Sequence, residues 1–180
     1  AILLVNINVD TLSVNRKIKV NGECMGIARI NEGLIVTYVN PAKVEMISMT
    51  GQLLQTLVSE DRGKYLFAWP WYVTTSPNQQ CIYISNFENE TNDNVNCIGL
   101  DGKVKARYPY QNYWLRDTRG LVVDKRGKVF VCGYGSNNLH LLTPDLKKAK
   151  IVLQQDTYTF LRRRRGLLSR RDIQEKPVCI

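Results

Sequence analysis

Short runs rich in β-branched residues alternate along this chain with clusters of Gly, Asn and Asp, a pattern typical of all-β proteins. Three of these runs begin at residues 34, 81 and 128, so that each step is 47 residues. They cover 34–39, 81–85 and 128–132, and one more step reaches 175–180. The segments just before them keep the same step, at 26–28, 73–75, 120–122 and 167–169. Segments that recur four times at the same spacing of 47 residues indicate an internal repeat.

Each repeat continues in the same way after these two strands. A loop leads to a third predicted strand, at 44–49, 95–100 and 139–143. A tight turn follows, at 50–51, 101–102 and 144–145, and then a fourth strand at 53–58, 103–107 and 149–154. Four antiparallel strands in a unit of about 45 residues form the blade of a β-propeller.

The repeats predict one all-β domain over 1–180, a partial β-propeller of four-stranded antiparallel blades. Full blades are expected at 24–58, 69–107 and 119–155. Residues 1–20 would end a preceding blade, with 17–20 as its outer strand, and 156–180 would form a basic loop and begin the next blade. Because a ring needs about 4–8 blades, we expect the chain to be part of a longer propeller or to pair with a second copy through open blade edges.

The segment 120–142 resembles an NHL repeat, with its Gly-hydrophobic-Val-Val-Asp opening, Gly turn, Val-Phe-Val strand and Gly/Asn-rich loop. Segments 26–51 and 73–102 match this pattern more loosely. The chain looks most like the C-terminal propeller of tripartite-motif (TRIM-NHL) proteins. The resemblance implies a recognition module for protein or RNA. Ubiquitin-ligase chemistry would belong to an N-terminal RING domain, whose Cys and His spacing is absent here.

The chain departs from the repeat pattern at one polar pair. Where many NHL repeats carry an Asp and an Arg around the second loop, this chain has Gly133 and Asn138. The loss of the repeat Arg favours a protein partner over RNA. The loop 86–94 is acidic, which would suit a basic peptide and repel RNA.

The net charge of +9 is concentrated near the end of the chain. From residue 146 onward there are ten basic and three acidic residues, which gives +7. Five widely spaced cysteines without a Cys-x-x-Cys pair indicate free thiols and a reduced, cytoplasmic protein, and they do not suggest a zinc site. A glycosylation sequon at Asn89 is discounted as a chance match.

Aromatic residues interleaved with Arg and Lys mark the connections from each fourth strand to the next first strand. These connections emerge on one face of a propeller, together with the loops after the second strands. The predicted binding residues on this face are Arg62, Lys64, Trp71, Tyr113, Trp114, Arg116, Tyr134, Arg162, Arg163, Arg164 and Arg165. One position recurs at the step of 47 residues, as Phe67, Trp114 and Leu161. For this position we favour the alternative that its side chain packs one blade on its neighbour.

These residues suit two partners. A protein or peptide would use the aromatic side chains, and single-stranded RNA would stack on them while arginines neutralise phosphates. A metal-dependent lactonase-like enzyme is the third alternative, but the predicted inner strands offer Asp124 as a lone carboxylate. The single histidine, His140, is expected to be structural. The sequence therefore predicts a non-enzymatic recognition module without cofactor or metal.

Overall fold

The computed structural model describes residues 1–31, 33–57, 60–61, 64–65, 67–88, 93–108 and 115–154, with the backbone alone for 60, 61, 64 and 65. Sixteen strands and no helix occur in these ranges. None of the described segments is a helix long and apolar enough to cross a membrane. The strands are β1 Ile2–Ile7, β2 Leu12–Ile18, β3 Cys24–Ile30, β4 Gly33–Val39, β5 Ala42–Ser48, β6 Leu53–Thr56, β7 Glu60–Asp61, β8 Lys64–Tyr65, β9 Trp69–Thr75, β10 Cys81–Phe87, β11 Asn94–Gly99, β12 Val104–Tyr108, β13 Thr118–Val123, β14 Val129–Gly133, β15 Asn138–Leu142 and β16 Ala149–Gln154.

Three four-stranded antiparallel sheets repeat one arrangement along the chain. Their strand orders are β3-β4-β5-β6, β9-β10-β11-β12 and β13-β14-β15-β16, and we call them blades 1, 2 and 3. Within every blade each strand pairs antiparallel with the strand that follows it. The predicted fold class, a partial all-β propeller, is confirmed.

The blades stand side by side with their first strands adjoining. Strand β9 of blade 2 contacts β3 of blade 1 on one side and β13 of blade 3 on the other. Among the second strands, β4 and β10 are buried almost from end to end. This explains why these two strands are rich in apolar residues on both faces.

The core consists of layers between neighbouring blades. One cluster joins blades 1 and 2 through Ile35, Val44, Ile82 and Ile98, and buried Phe67 is part of it. The packing role expected for the recurring position is therefore correct at Phe67. A second cluster joins blades 2 and 3: Tyr83, Val95, Cys97, Leu115, Val129, Val131, Leu142 and Leu146.

The opening of the chain differs from the prediction. Residues 1–20 hold two strands, the antiparallel pair β1 and β2, and the outer strand is Leu12–Ile18 instead of 17–20. The hairpin packs on blade 1 through Ile18, which is buried beside Val36 and Tyr38. Polar residues such as Asn6 and Asn15 interrupt its apolar pattern, because most of the hairpin is exposed. The alternation of apolar and polar residues that marks a strand is therefore weak in this hairpin.

A second difference lies in the connection between blades 1 and 2. The sequence predicts a loop, but the backbone forms a two-residue strand pair, β7 with β8. Residues 156–180, the predicted basic loop and next blade, lie outside the described residues.

We predict that Ile84→Ala destabilises the fold by about 2–5 kcal/mol, because it leaves a cavity in the layer between blades 1 and 2. The measurement is urea unfolding followed by circular dichroism. Leu54→Ala serves as the control, since this side chain is 54% exposed, and it should cost less than about 1 kcal/mol. Equal losses for the two variants would contradict the layered core.

Candidate functional site

Two opposite edges of the blades carry the loops. The upper face is the edge at which β3, β9 and β13 begin and β4, β10 and β14 end. The lower face is the opposite edge, with the turns 76–80, 124–128 and 143–148. The alternating strand directions bring the connections between blades and the loops after the second strands together on the upper face.

A β-bulge interrupts the first strand of each blade near the upper face. In blade 1 the extra residue is Met25, between the paired residues Cys24 and Gly26. In blade 2 it is Trp71, and in blade 3 the irregularity covers Arg119 and Gly120. A bulge bends the strand and redirects its side chains, which is why bulges are common beside functional sites. Here the irregularities lie at Trp71 in blade 2 and at Arg119 in blade 3, which are neighbouring blades.

Hydroxyl groups of the second strands hold two of these bulges. The N–H of Gly26 donates to Thr37 Oγ1 at 2.9 Å, and the N–H of Tyr72 donates to Ser85 Oγ at 3.1 Å. Thr37 Oγ1 also donates to the carbonyl oxygen of Trp71 at 3.2 Å, which ties blade 1 to blade 2. A Cβ at Gly26 would lie 2.7 Å from that same oxygen, so the close approach of the two backbones requires glycine.

The central feature of the upper face is a stack of three side chains from two blades. The guanidinium of Arg119 lies 4.2 Å from the centre of the Trp71 ring and 5.6 Å from the centre of the Tyr134 ring. Arg119 Nε also pairs with Asp117 Oδ1 at 2.9 Å. A cation over two aromatic faces, held by a carboxylate, is fixed in orientation. We call this group the Trp71–Arg119–Tyr134 stack.

Backbone hydrogen bonds hold the loops around the stack. The N–H of Tyr134 donates to the carbonyl of Asp117, and the N–H of Gly135 donates to the carbonyl of Arg116, both at 3.0 Å. The N–H of Arg116 donates to Ser136 Oγ at 3.1 Å. The connection into blade 3 and the loop after β14 therefore form one braced unit.

Two buried side chains from blade 2 extend this bracing. The carboxylate of Asp93 accepts the N–H groups of Glu88 and Asp117. Burial raises the pKa of Asp93, while these N–H groups act in the opposite direction. The side-chain oxygen of Asn86 accepts the N–H groups of Ala68 at 3.0 Å and Trp69 at 3.1 Å.

The structure brings three of the predicted binding residues together. Trp71, Arg116 and Tyr134 all lie on the upper face, and Tyr134 is 71% exposed. Lys64 lies in β8, of which only the backbone is described. The other predicted residues lie outside the described residues: Arg62, Tyr113, Trp114, Arg162, Arg163, Arg164 and Arg165.

Sequence reasoning missed Arg119, Asp117 and Trp69. Trp69 begins β9 and is 47% exposed, and Arg119 is the residue that joins the two aromatic rings. The repeat contained a usable signal: at the step of 47 residues, Arg119 corresponds to Tyr72 and Met25. A cation at the position where the other repeats have large apolar side chains indicates a role other than apolar packing.

The described residues offer little for acid–base or metal chemistry. No group of three or more His, Cys, Asp or Glu side chains in the described ranges could hold a metal ion. His140 is buried, and its Nδ1 lies 3.0 Å from the hydroxyl of Tyr108. This contact between blades 2 and 3 agrees with a structural role. What the upper face presents is an aromatic and polar surface.

Known structures support the fold. The chain is similar to a nidogen–laminin complex (TM-score 0.66, 15% identity, 84% of this chain and 57% of that chain). It is also similar to a streptogramin B lyase (TM-score 0.59, 13% identity, 82% and 46%) and to Kuenenia stuttgartiensis hydrazine synthase (0.58, 12%, 78% and 40%). These similarities show a β-propeller fold. The chain spans about half the length of the structures it matches. No family model and no curated protein matches it.

We predict that Arg119 and Trp71 are energetically coupled. In a double-mutant cycle with Arg119→Gln and Trp71→Leu, the coupling energy should be about 0.5–2 kcal/mol, the range of cation–π contacts. Urea unfolding of the four proteins provides the measurement. The control is a second cycle that combines Arg29→Gln, near the lower end of β3, with Trp71→Leu. In this cycle the two losses of unfolding free energy should be additive. A coupling energy near zero for Arg119 would contradict the stack.

Proposed function

We propose that this chain is a non-enzymatic recognition module that binds a protein partner through its upper face. The Trp71–Arg119–Tyr134 stack is the observation that carries the proposal. Trp, Tyr and Arg are the residues enriched at the energetic centres of protein interfaces. Trp69 and Tyr72, 47% and 41% exposed, add aromatic surface along the same strand.

The charge of the described surface favours protein over nucleic acid. Arg116 and Arg119 are accompanied by Asp93, Asp117 and Glu88, so these side chains give no excess of positive charge. Binding to nucleic acid depends mainly on cations that neutralise phosphates. Arg119 already pairs with Asp117, which leaves its guanidinium less charge to offer a phosphate.

The bracing of the upper face also supports a recognition role. Backbone N–H groups of the loops around the stack donate hydrogen bonds to the side-chain oxygens of Asp93, Asn86 and Ser136. A surface that is already ordered loses less conformational entropy when a partner binds. The aromatic side chains can therefore contribute most of their contact energy to affinity.

The similarities to known proteins support the proposal at two levels. The nidogen–laminin complex is a protein–protein complex built on the same fold, which supports a protein partner in general. The finer proposal is that this chain is the recognition end of a TRIM-NHL-like protein. It rests on the repeat 120–142, whose segments form β13, β14 and β15.

We predict that partner peptides lose affinity when the upper face is altered. Peptides selected from a random displayed library on the wild-type chain would be titrated by fluorescence anisotropy. Trp69→Ala and Tyr134→Ala should each weaken binding at least tenfold, since a central aromatic residue contributes about 2 kcal/mol or more. Circular dichroism would first show that each variant is folded.

A matched pair of arginines controls this experiment. Arg116 lies on the upper face, so Arg116→Ala should weaken peptide binding. Arg29 lies toward the lower end of β3, so Arg29→Ala should leave peptide binding unchanged. Peptides that bind all variants equally would contradict the proposal. An oligouridylate RNA titrated at two salt concentrations tests the alternative. Salt-dependent RNA binding that is lost with Trp69→Ala or Tyr134→Ala would replace the protein partner by RNA.

A further inference from the structure

A cleft opens on the lower face between blades 2 and 3, away from the proposed protein-binding surface. Its volume is about 610 Å³, within the usual range of small-molecule sites. Residues of the turns 76–80, 124–128 and 143–148 line it, together with residues of β10, β11 and β12. Both blades therefore contribute to its walls.

Part of the cleft lining is apolar and firmly built. Tyr83 is buried at its base, and its hydroxyl donates to the carbonyl oxygen of Pro144 at 2.8 Å, so that it links blade 2 to blade 3. Pro77, Ala106 and Pro144 provide further apolar surface. These contacts shape the cleft independently of any ligand.

Another part of the cleft lining is strongly basic. Four cationic side chains line it, and they come from three separate segments: Lys105, Lys125, Arg126 and Lys147. The lining contains one carboxylate, Asp145, so the sum is +3. No carboxylate among the described residues lies within 4.0 Å of any of these four cations.

Local hydrogen bonds hold the Lys105 ammonium group and the backbone of the turns that carry the other cations. Lys105 Nζ donates to the carbonyl of Gln80 at 3.3 Å and lies 3.6 Å from Cys81 Sγ. Asp124 Oδ1 accepts the N–H of Arg126 at 2.8 Å and fixes the turn that carries two of the cations. Asp145 accepts a hydrogen bond from the Thr143 hydroxyl at 2.6 Å, which lowers its pKa and keeps it charged.

We propose that this cleft binds a small organic phosphate. Cations that line one cleft without ion-pair partners repel one another, and an anion with more than one charge relieves this repulsion. A phosphate monoester carries about −1.5 to −2 charges and three acceptor oxygens, which suit the fork of Arg126 and the lysine ammonium groups. The apolar surface of Pro77, Ala106 and Pro144 would contact the organic part.

A thiol in the cleft provides a direct test. Cys81 lines the cleft and is partly exposed, whereas burial raises the pKa of Cys97 to about 12 and leaves it protonated. The folded chain would be alkylated with iodoacetate, an anion, and with neutral iodoacetamide, and each cysteine followed by mass spectrometry. The exposed Cys132 is the internal reference. The rate ratio of iodoacetate to iodoacetamide should be at least threefold higher at Cys81 than at Cys132.

Adenosine 5′-triphosphate is the probe for binding, with adenosine and citrate as comparisons. We expect the nucleotide to protect Cys81 from iodoacetamide, and adenosine to give no protection. Isothermal titration should show at least a tenfold loss of affinity in the variant K125Q/R126Q. The control K17Q/K19Q removes the same charge from the exposed N-terminal hairpin and should bind within twofold of wild type.

Three results would overturn the proposal. One is a lack of protection of Cys81 by the nucleotide in a folded chain. Another is an equal loss of affinity in K125Q/R126Q and K17Q/K19Q, which would mean that total charge alone attracts the anion. The third is equal protection by citrate, which would mean that the cleft accepts any polyanion and does not select phosphate.

Discussion

The packing of each sheet against the next is the constraint on which the rest of this structure depends. A four-stranded sheet with two apolar faces cannot be stable alone in water, because both faces must be covered. The layer that contains Ile35, Ile82 and Ile98 covers one face of blade 2, and the layer that contains Tyr83, Val95 and Val131 covers the other. The relative position of the blades follows from these two layers.

The upper face is a product of that packing. Trp71 and Arg119 belong to different blades, and they meet because β9 lies directly against β13. The bulges determine which side chains reach this edge, and the hydroxyls of Thr37 and Ser85 satisfy the backbone groups that the bulges leave unpaired in the ladder. A surface that spans two blades can exist only while the layer between them is intact.

The fold could be predicted from the sequence because its signals are local and repeated. Runs such as 34–39 and 81–85 indicate buried strands one at a time, and their common step shows that they are equivalent. The position of Arg119 could not be predicted in this way. It depends on a bulge, on the contact between two blades and on a carboxylate two residues away, none of which leaves a periodic pattern. The β1 strand was missed because most of its hairpin is exposed.

The repeated bulge also bears on how such a chain can change over time. Met25 and Trp71 are the extra residues of the bulges in blades 1 and 2, Arg119 lies in the irregularity of blade 3, and none of the three belongs to the buried layers. A substitution at one of these places alters the upper face and the contacts made there, while the apolar layers between the blades keep their side chains. The architecture thus separates the side chains of the apolar layers from those of the upper face, and each repeat contributes one irregularity of its first strand to that face.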